Sequence, residues 1–253
     1  AGIPFLQRLP EVARSLVALG DYAERRRRGI PEMPDIRPRP AGETVEEVLA
    51  EYGIKGPASG FAATAAAAGA VAAATGFPVA LKIVSPQAVH KTEVGGVVLD
   101  IASEDAAVAA ADEMEARLRA ADPDAEVEGF LVQRMVDGLE VIAGIRDDPQ
   151  FGPVLALGFG GVLVEAIRDV SFRLLPVTDA DVADMLGELR ARAVLGEFRG
   201  APARDVDALI ACAVAVSRAY LDMRGEVSDI EINPLMVGPV GAGVCAVDIR
   251  AIK

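Results

Sequence analysis

The sequence contains no tryptophan, 4% aromatic residues, two cysteines and a single histidine in 253 residues. So few rings leave no stacking platform for nucleic-acid bases. One histidine and no serine elbow leave no Ser/His/Asp or Cys/His set for hydrolase chemistry. Cys212 and Cys245 show neither metal-ligand nor redox spacing, and they read as buried thiols of a reducing cytosol. Apolar runs are short as well. The most alanine-rich stretch, Ala62 to Ala74, falls below the ~18 apolar residues of a membrane span. The N-terminus has no basic segment leading into an apolar core, so no signal peptide is expected. The chain opens on Ala1 rather than Met, and a processed product or an excised piece is expected. Positive charge is in deficit: 25 Lys and Arg against 38 Asp and Glu give a net charge of −13. That excludes a general nucleic-acid surface, and anionic ligands must then be met by local positive sites. The expectation is a cytoplasmic protein with no nucleic-acid or membrane partner.

What is present is apolar bulk, 52% of residues, enough for one large domain or two modest ones. The most informative stretch runs from Pro78 to Leu99, PVALKIVSPQAVHKTEVGGVVL. It reads as strand, loop, strand: Val79 to Val84, then a polar stretch ending in Gly95-Gly96, then Val97 to Ile101. Alternation puts Lys82 on one face between Ala80 and Val84, where an ammonium is poorly hydrated and needs an anion. The loop carries His90 and Lys91 and is able to close over a phosphate. The competing reading is a surface hairpin whose lysine snorkels to water.

Elsewhere the patterns alternate between helix and strand. Pro10 to Arg28 is predicted helical from Val12, Leu16, Leu19 and Ala23, with Arg25 to Arg28 as a solvated basic end suited to the dipole. Pro31, Pro34, Pro38 and Pro40 make Gly29 to Ala41 a stiff linker. Thr44 and Glu47 form a capping box for a helix to Tyr52. Gly60 to Thr75 is predicted as an Ala-rich helix. Ser103 caps a helix to about Ala120, with Glu113/Arg117 and Glu115/Arg119 paired along it. Val127 to Met135 and Leu139 to Arg146 are predicted strands joined by a turn at Asp137-Gly138. Pro153 to Leu157, Val162 to Ala166 and Ser171 to Leu175 are further strands. Helices are expected from Thr178 to about Arg190 and from Ala203 to Tyr220, then strands Val227 to Val237 and Val244 to Ile249. Hairpins mixed with helices favour an α+β fold.

The closing hairpin carries the sharpest chemistry. In Asp229-Ile230-Glu231-Ile232-Asn233-Pro234, the apolar residues take one face and Asp229, Glu231 and Asn233 the other. A hairpin symmetric about the Gly/Pro-rich connection 237–243 pairs positions summing to 481, which sets Asn233 opposite Asp248. Opposed residues lie about 4.5–5.5 Å apart. The set offers hard oxygen ligands suited to Mg²⁺ completed by water and phosphate, or else an ordinary polar outer face. In the middle strands, Gln133 and Met135 share a face with Leu131 and offer a wall for a purine. Glu140 lies where it could bind ribose hydroxyls, though polar strand residues are commonly just solvated. The glycines at 158–161 match no phosphate-loop fingerprint and permit either tight packing or close approach to a ligand.

The motifs LKIVSPQAVHKTEVGGV, LVQRMVDGLEVIAGIRDDPQFGPVLALGFGGVLVE, DVSFRLLPV, EINPL and AVDIR, in that order, resemble the ATP-grasp domain of ADP-forming acyl-CoA synthetases, relatives of the succinyl-CoA synthetase β subunit. The resemblance runs from about residue 42 to the end. Residues 1–41 resemble the end of the CoA-binding and ligase half of fused members. It implies an ATP-grasp fold of two α+β subdomains, about 60–132 and about 133–253, holding nucleotide between them. It also implies the reaction acyl-CoA + ADP + phosphate ⇌ acid + CoA + ATP through a phosphohistidine relay. ATP/ADP and Mg²⁺ are the implied cofactors. The partner is a CoA-binding/ligase half that binds most of the acyl-CoA and carboxylic acid, within an oligomeric complete enzyme. By position, Lys82 matches the phosphate-binding lysine, Gln133 the hinge residue, and Met135 and Glu140 flank the nucleotide. Asn233 and Asp248 match the Mg²⁺ ligands, with Glu231 beside them. His90 resembles a second phosphoryl carrier, with Lys91 next to it; the succinyl-CoA branch has Gly there. The alternatives are an ATP-grasp carboxylate ligase of another type and a non-catalytic nucleotide-sensing module.

Overall fold

The computed structural model describes residues 8–29, 31–33, 35, 37, 39, 42–86, 95–160 and 169–252. In chain order the elements are α1 (Leu9–Arg28), α2 (Val45–Glu51), β1 (Ser59–Ala62), α3 (Ala65–Thr75), β2 (Val79–Val84), β3 (Val97–Ile101) and α4 (Glu104–Ala121). There follow β4 (Gly129–Arg134), β5 (Leu139–Asp148), β6 (Gly152–Phe159), β7 (Val170–Leu174), α5 (Asp179–Glu188) and α6 (Val206–Asp222). The chain closes on β8 (Asp229–Val237), β9 (Val244–Ala246) and β10 (Ile249–Ile252).

The first sheet is antiparallel, in the order β1-β4-β2-β3. Strand alternation divides its residues cleanly. Val79, Leu81 and Ile83 of β2 and Phe130 and Val132 of β4 are buried in a core with Ala68, Ala72, Ala107, Ala111 and Met114 of α3 and α4. Ala80, Lys82, Leu131 and Gln133 take the opposite face. The alanines have a packing reason: a Cβ on Gly69 would lie 3.0 Å from the Glu104 carbonyl oxygen, so α3 and α4 run close together. The predicted helix from Gly60 is shorter than expected. Thr64 caps it, accepting from Ala67 N–H at 3.3 Å, and Ser59–Ala62 instead pairs with β4 as an edge strand.

The second sheet runs β10-β8-β5-β6-β7, with β9 also on β8. Val141, Ala143 and Ile145 of β5, Leu155 and Leu157 of β6 and Ile230 and Ile232 of β8 are buried with Met185, Leu209, Val216 and Tyr220 of α5 and α6. The other face carries no helix among the described residues. The strands on either side of Asp137-Gly138 are joined there but not paired: β4 belongs to the first sheet and β5 to the second. The predicted last strand divides into β9 and β10. Val162 to Ala166 lies outside the described residues.

Helix α1 forms as its periodicity predicts but buries none of its residues; Leu9, Leu16, Leu19 and Tyr22 are exposed. Its basic end is not merely solvated. Arg25 pairs with Glu188 at 3.2 Å and Arg28 with Asp184 at 2.7 Å, tying α1 to α5. The capping box of Thr44 and Glu47 and the two ion pairs along α4 are present as read from the sequence. Among the described residues, no helix is long and apolar enough to cross a membrane.

Candidate functional site

Lys82 sits in the middle of β2 on the face away from α3 and α4, opposite Leu131 of β4 and Val97 of β3. It is 8% exposed, so it does not snorkel. Its Nζ donates to the carbonyl oxygen of Val247 at 3.3 Å. That contact crosses from one sheet to the other and puts a cation beside Asp248. Sequence reading had no access to this partner, because a backbone carbonyl carries no residue signature.

The closing hairpin has the expected register over its whole length. Val237 faces Val244, Leu235 faces Ala246, Ile232 faces Ile249 and Glu231 faces Arg250. Between the two paired stretches, Asn233 N–H donates to the Asp248 carbonyl at 3.0 Å and Val247 N–H to that of Pro234 at 3.1 Å. Asn233 and Asp248 are therefore opposed. Glu231 joins them from the same face, since Asn233 Nδ2 donates to its Oε1 at 3.2 Å. This bond leaves the Asn233 amide oxygen as its remaining acceptor. Among the described residues no three His, Cys, Asp or Glu side chains gather. The set is two carboxylates and one carboxamide, all hard oxygen donors. It suits a Mg²⁺ ion that keeps water and phosphate oxygens better than a metal caged wholly by protein.

The strand changes parity at Pro234. Ile230 and Ile232 are buried before it, Leu235 and Val237 after it, and β5 registers the shift between Val141 and Ala143. Proline has no N–H for the ladder, so inside a sheet it belongs at such an irregularity.

Gln133 lies on the same face as Lys82, opposite Ala80 and one alternation from Leu131. Its Oε1 is buried and has no hydrogen-bond partner among the described residues. Met135 follows, its N–H held by the Pro78 carbonyl at 3.0 Å. Glu140 is exposed at the start of β5, opposite Met236, on the face that also bears Glu231. Gln133 and Met135 lie at and just past the end of β4 and Glu140 at the start of β5, on either side of residues 136–138, where the chain passes from one sheet to the other. His90 and Lys91 lie outside the described residues.

Of the glycines at 158–161, Gly158 and Gly160 serve tight packing. A Cβ would lie 2.4 Å from the Asp169 carbonyl in the first case and 2.9 Å from Val141 backbone in the second. Cys212 is buried, and burial pushes its thiol up to about 12. Cys245 differs from the expectation: it is only half-buried, though partial burial still raises its thiol. Both cysteines are free.

Residues 37–252 match the family described as ATP-grasp domain. The chain is 36% identical over 208 residues to acetate–CoA ligase [ADP-forming] II subunit beta of Pyrococcus furiosus, covering 82% of this chain and 88% of that one. It is 40% identical over 206 residues to acetate–CoA ligase [ADP-forming] I of Archaeoglobus fulgidus, but there it covers 81% of itself and spans only 30% of the relative's length. Among solved structures it resembles the dinucleotide-forming acetyl-coenzyme A synthetase 1 of Ca. Korarchaeum cryptofilum in complex with coenzyme A and Ca-AMPCP. The TM-score is 0.76 at 37% identity, over 82% of this chain and 90% of that one. A second structure of that enzyme contains Mg-AMPPCP, with its phosphohistidine segment pointing towards the nucleotide-binding site (TM-score 0.67, 34% identity, 81% and 87% covered). With the two sheets, the crossing between them and these likenesses in place, the chain belongs to the ATP-grasp family, as the β-subunit-like domain of ADP-forming acyl-CoA synthetases.

Proposed function

We propose that this chain binds ADP or ATP with Mg²⁺ between its two sheets and passes a phosphoryl group between that nucleotide and a CoA-binding/ligase half, in a cytoplasmic, oligomeric enzyme. The complete reaction is acyl-CoA + ADP + phosphate ⇌ acid + CoA + ATP. The observation that carries the reading is the contact of Lys82 Nζ with Val247 O, which brings a buried cation to the hairpin of Asn233 and Asp248. Phosphate oxygens there meet an ammonium from one side and hard oxygen ligands from the other.

The residues divide the work along the cleft. Lys82 neutralises the phosphates, and Asn233 and Asp248, with Glu231 beside them, would hold Mg²⁺, which spreads phosphate charge during transfer. Gln133, Met135 and Glu140 lie toward the crossing at residues 135–139, at the base and ribose end. His90, with Lys91 next to it, is the carrier. As the neutral imidazole it accepts the phosphoryl group through a ring nitrogen, forming an N–P bond as the bond to the donor on the other half breaks. A terminal ADP oxygen then attacks phosphorus, the N–P bond breaks, and His90 returns to its starting state. The phosphohistidine segment of the Ca. Korarchaeum enzyme, pointing towards its nucleotide-binding site, supports this role.

Residues 1–41 are proposed as the end of the partner half, with 42–253 as the nucleotide domain. The exposed apolar residues of α1 would then lie against that half.

The test uses γ-labelled ATP and Mg²⁺, with the CoA-binding half present. An acid-labile, base-stable label on this chain is expected, and His90→Ala should abolish the label and turnover while nucleotide affinity holds within a few fold. Wild-type turnover by the alanine variant would end the carrier assignment. For the metal, Asp248→Asn should weaken Mg-ADP binding far more than metal-free ADP binding. Equal losses would make that face structural.

A further inference from the structure

We propose that α5 and the end of α6 form a docking face for the basic segment 25–39, and that this face holds the upstream half behind the second sheet, away from the nucleotide. The placement of that half rests on residues 1–41 being its end. Charge sets the segment apart from the body it lies on. Residues 1–39 carry eight Lys and Arg against five Asp and Glu, whereas the rest of the chain carries 17 against 33. Net charges of opposite sign draw the two together and turn the body away from other acidic surfaces.

The acids of the face are oriented by the body itself. Glu188 on α5 accepts from Ser171 Oγ at 2.5 Å and from Arg173 Nη1 at 3.0 Å, so two groups of β7 already aim it; Arg25 adds a contact at 3.2 Å. Asp222 at the end of α6 is 8% exposed and accepts from the Tyr52 hydroxyl. Arg37 Nε joins it at 3.2 Å, with the guanidinium 5.1 Å from the centre of the Tyr52 ring. Asp184, one turn before Glu188, takes Arg28 at 2.7 Å. Three arginines spread over the segment thus meet three acids spread over the face.

Apolar packing adds little to this attachment. Helix α1 buries none of its residues, and a cavity of about 550 Å³ lies between linker residues 31–37 and the body, lined by Pro31, Tyr52, Pro176 and Leu221 among others. The segment is therefore held by charge, and exposed pairs hold weakly and are screened by salt. A joint of this kind lets two halves shift against one another while a phosphoryl group passes between them. The fold also fixes the side of entry. α5 and α6 pack on the inner face of the second sheet, whereas Glu140, Glu231 and Asn233 take the other. From its anchored last turn, the 20 residues of α1 reach roughly 30 Å toward the upstream half.

Two variants of the intact chain test the face from its two sides. One combines Arg25→Gln, Arg28→Gln and Arg37→Gln on the segment; the other combines Asp184→Asn and Glu188→Gln on α5. The first leaves the body unchanged, so the test stands even if the second folds poorly. Hydrogen exchange read by mass spectrometry follows the amides of residues 25–39. Either variant should speed their exchange by about tenfold, as should raising salt from about 0.05 M to about 0.5 M for the wild type. Combining the variants should add less than about twofold, since both remove the same contacts. Unchanged exchange in both variants would overturn the docking face. With the CoA-binding half present, the segment variant should lower turnover by about threefold or more, because a loosened half meets this one at a lower effective concentration, while Mg-ADP affinity stays within about twofold. Faster exchange with full turnover would overturn the placement of the half by this face. If γ-labelled ATP leaves no label on the wild-type chain, the phosphoryl reading falls and the docking face is decided by exchange alone.

Discussion

Replacing Lys82 with methionine separates two roles that its position combines. Methionine keeps most of the stem's volume and removes the ammonium. In the free chain the loss includes a charge-assisted bond to the Val247 carbonyl at 3.3 Å. Against it stands the cost of keeping an ammonium in a residue only 8% exposed. The two oppose one another, since a bond to a charged group is worth about 1.5–3 kcal/mol and burying an ion costs several, so the stability change should stay below about 2 kcal/mol. In the nucleotide complex nothing offsets the loss. A hydrogen bond to a charged group is worth about 1.5–3 kcal/mol, which is about 10- to 150-fold in affinity. Calorimetric titration with Mg-ADP and a denaturant melt of the same preparation measure both. Unchanged affinity would remove Lys82 from the phosphate site. A large loss of stability with affinity intact in the folded fraction would make it a pin between the sheets and nothing more.

Gln133→Met should move stability and binding in opposite directions. Removing a buried unpaired acceptor raises the denaturation midpoint by about 1 kcal/mol equivalent, while ADP affinity falls and pyrophosphate affinity holds; parallel changes would refute the assignment. Glu188→Gln tests the anchoring of α1. Burial alone would raise the Glu188 carboxyl, but bonds from Arg173 and Ser171 and the charge of Arg25 more than reverse this, so it lies below its ordinary 4.5. Its stabilisation is complete above that value and lost as pH falls through the folded value. The stability gap between wild type and variant, under about 1 kcal/mol at this exposed pair, should shrink below pH 4.5 in acid titration; a gap constant to lower pH would mean the carboxylate's charge is not what matters.

The elements that pack against themselves were the most legible. Capping boxes, the Lys82 strand and the hairpin register depend on neighbours close in sequence or related by one symmetric turn. What escaped depended on distant partners. Ser59–Ala62 has little strand character of its own and is a strand because β4 offers it an edge. Thr64 was a usable signal: as a cap it would have started α3 at Ala65. The Asp137-Gly138 dipeptide has the chemistry of a hairpin turn, but the strands it joins bury their apolar faces in two different cores, so they part. The Val247 carbonyl could be found only from the fold.

The parity change in β8 was in principle visible. Up to Asn233 the odd-numbered residues are polar and the even ones apolar; from Leu235 the odd ones are apolar. A regular strand would have exposed Leu235 and Val237 or buried Glu231 and Asn233, and each choice carries a penalty. Exposing the two apolar side chains forfeits about 1.5–3 kcal/mol each, and burying the polar ones without partners costs as much or more. The proline between the two patterns, unable to donate to the ladder, marks where the strand changes over. The register hid the break because the return strand slips in step: Val247 and Asp248 mirror Asn233 and Pro234, so the paired positions keep their sum. Only β5, with no matching irregularity, records the shift. The break therefore keeps an unbroken apolar row, Ile230, Ile232, Leu235 and Val237, facing the core, while Glu231 and Asn233 stay on the opposite face.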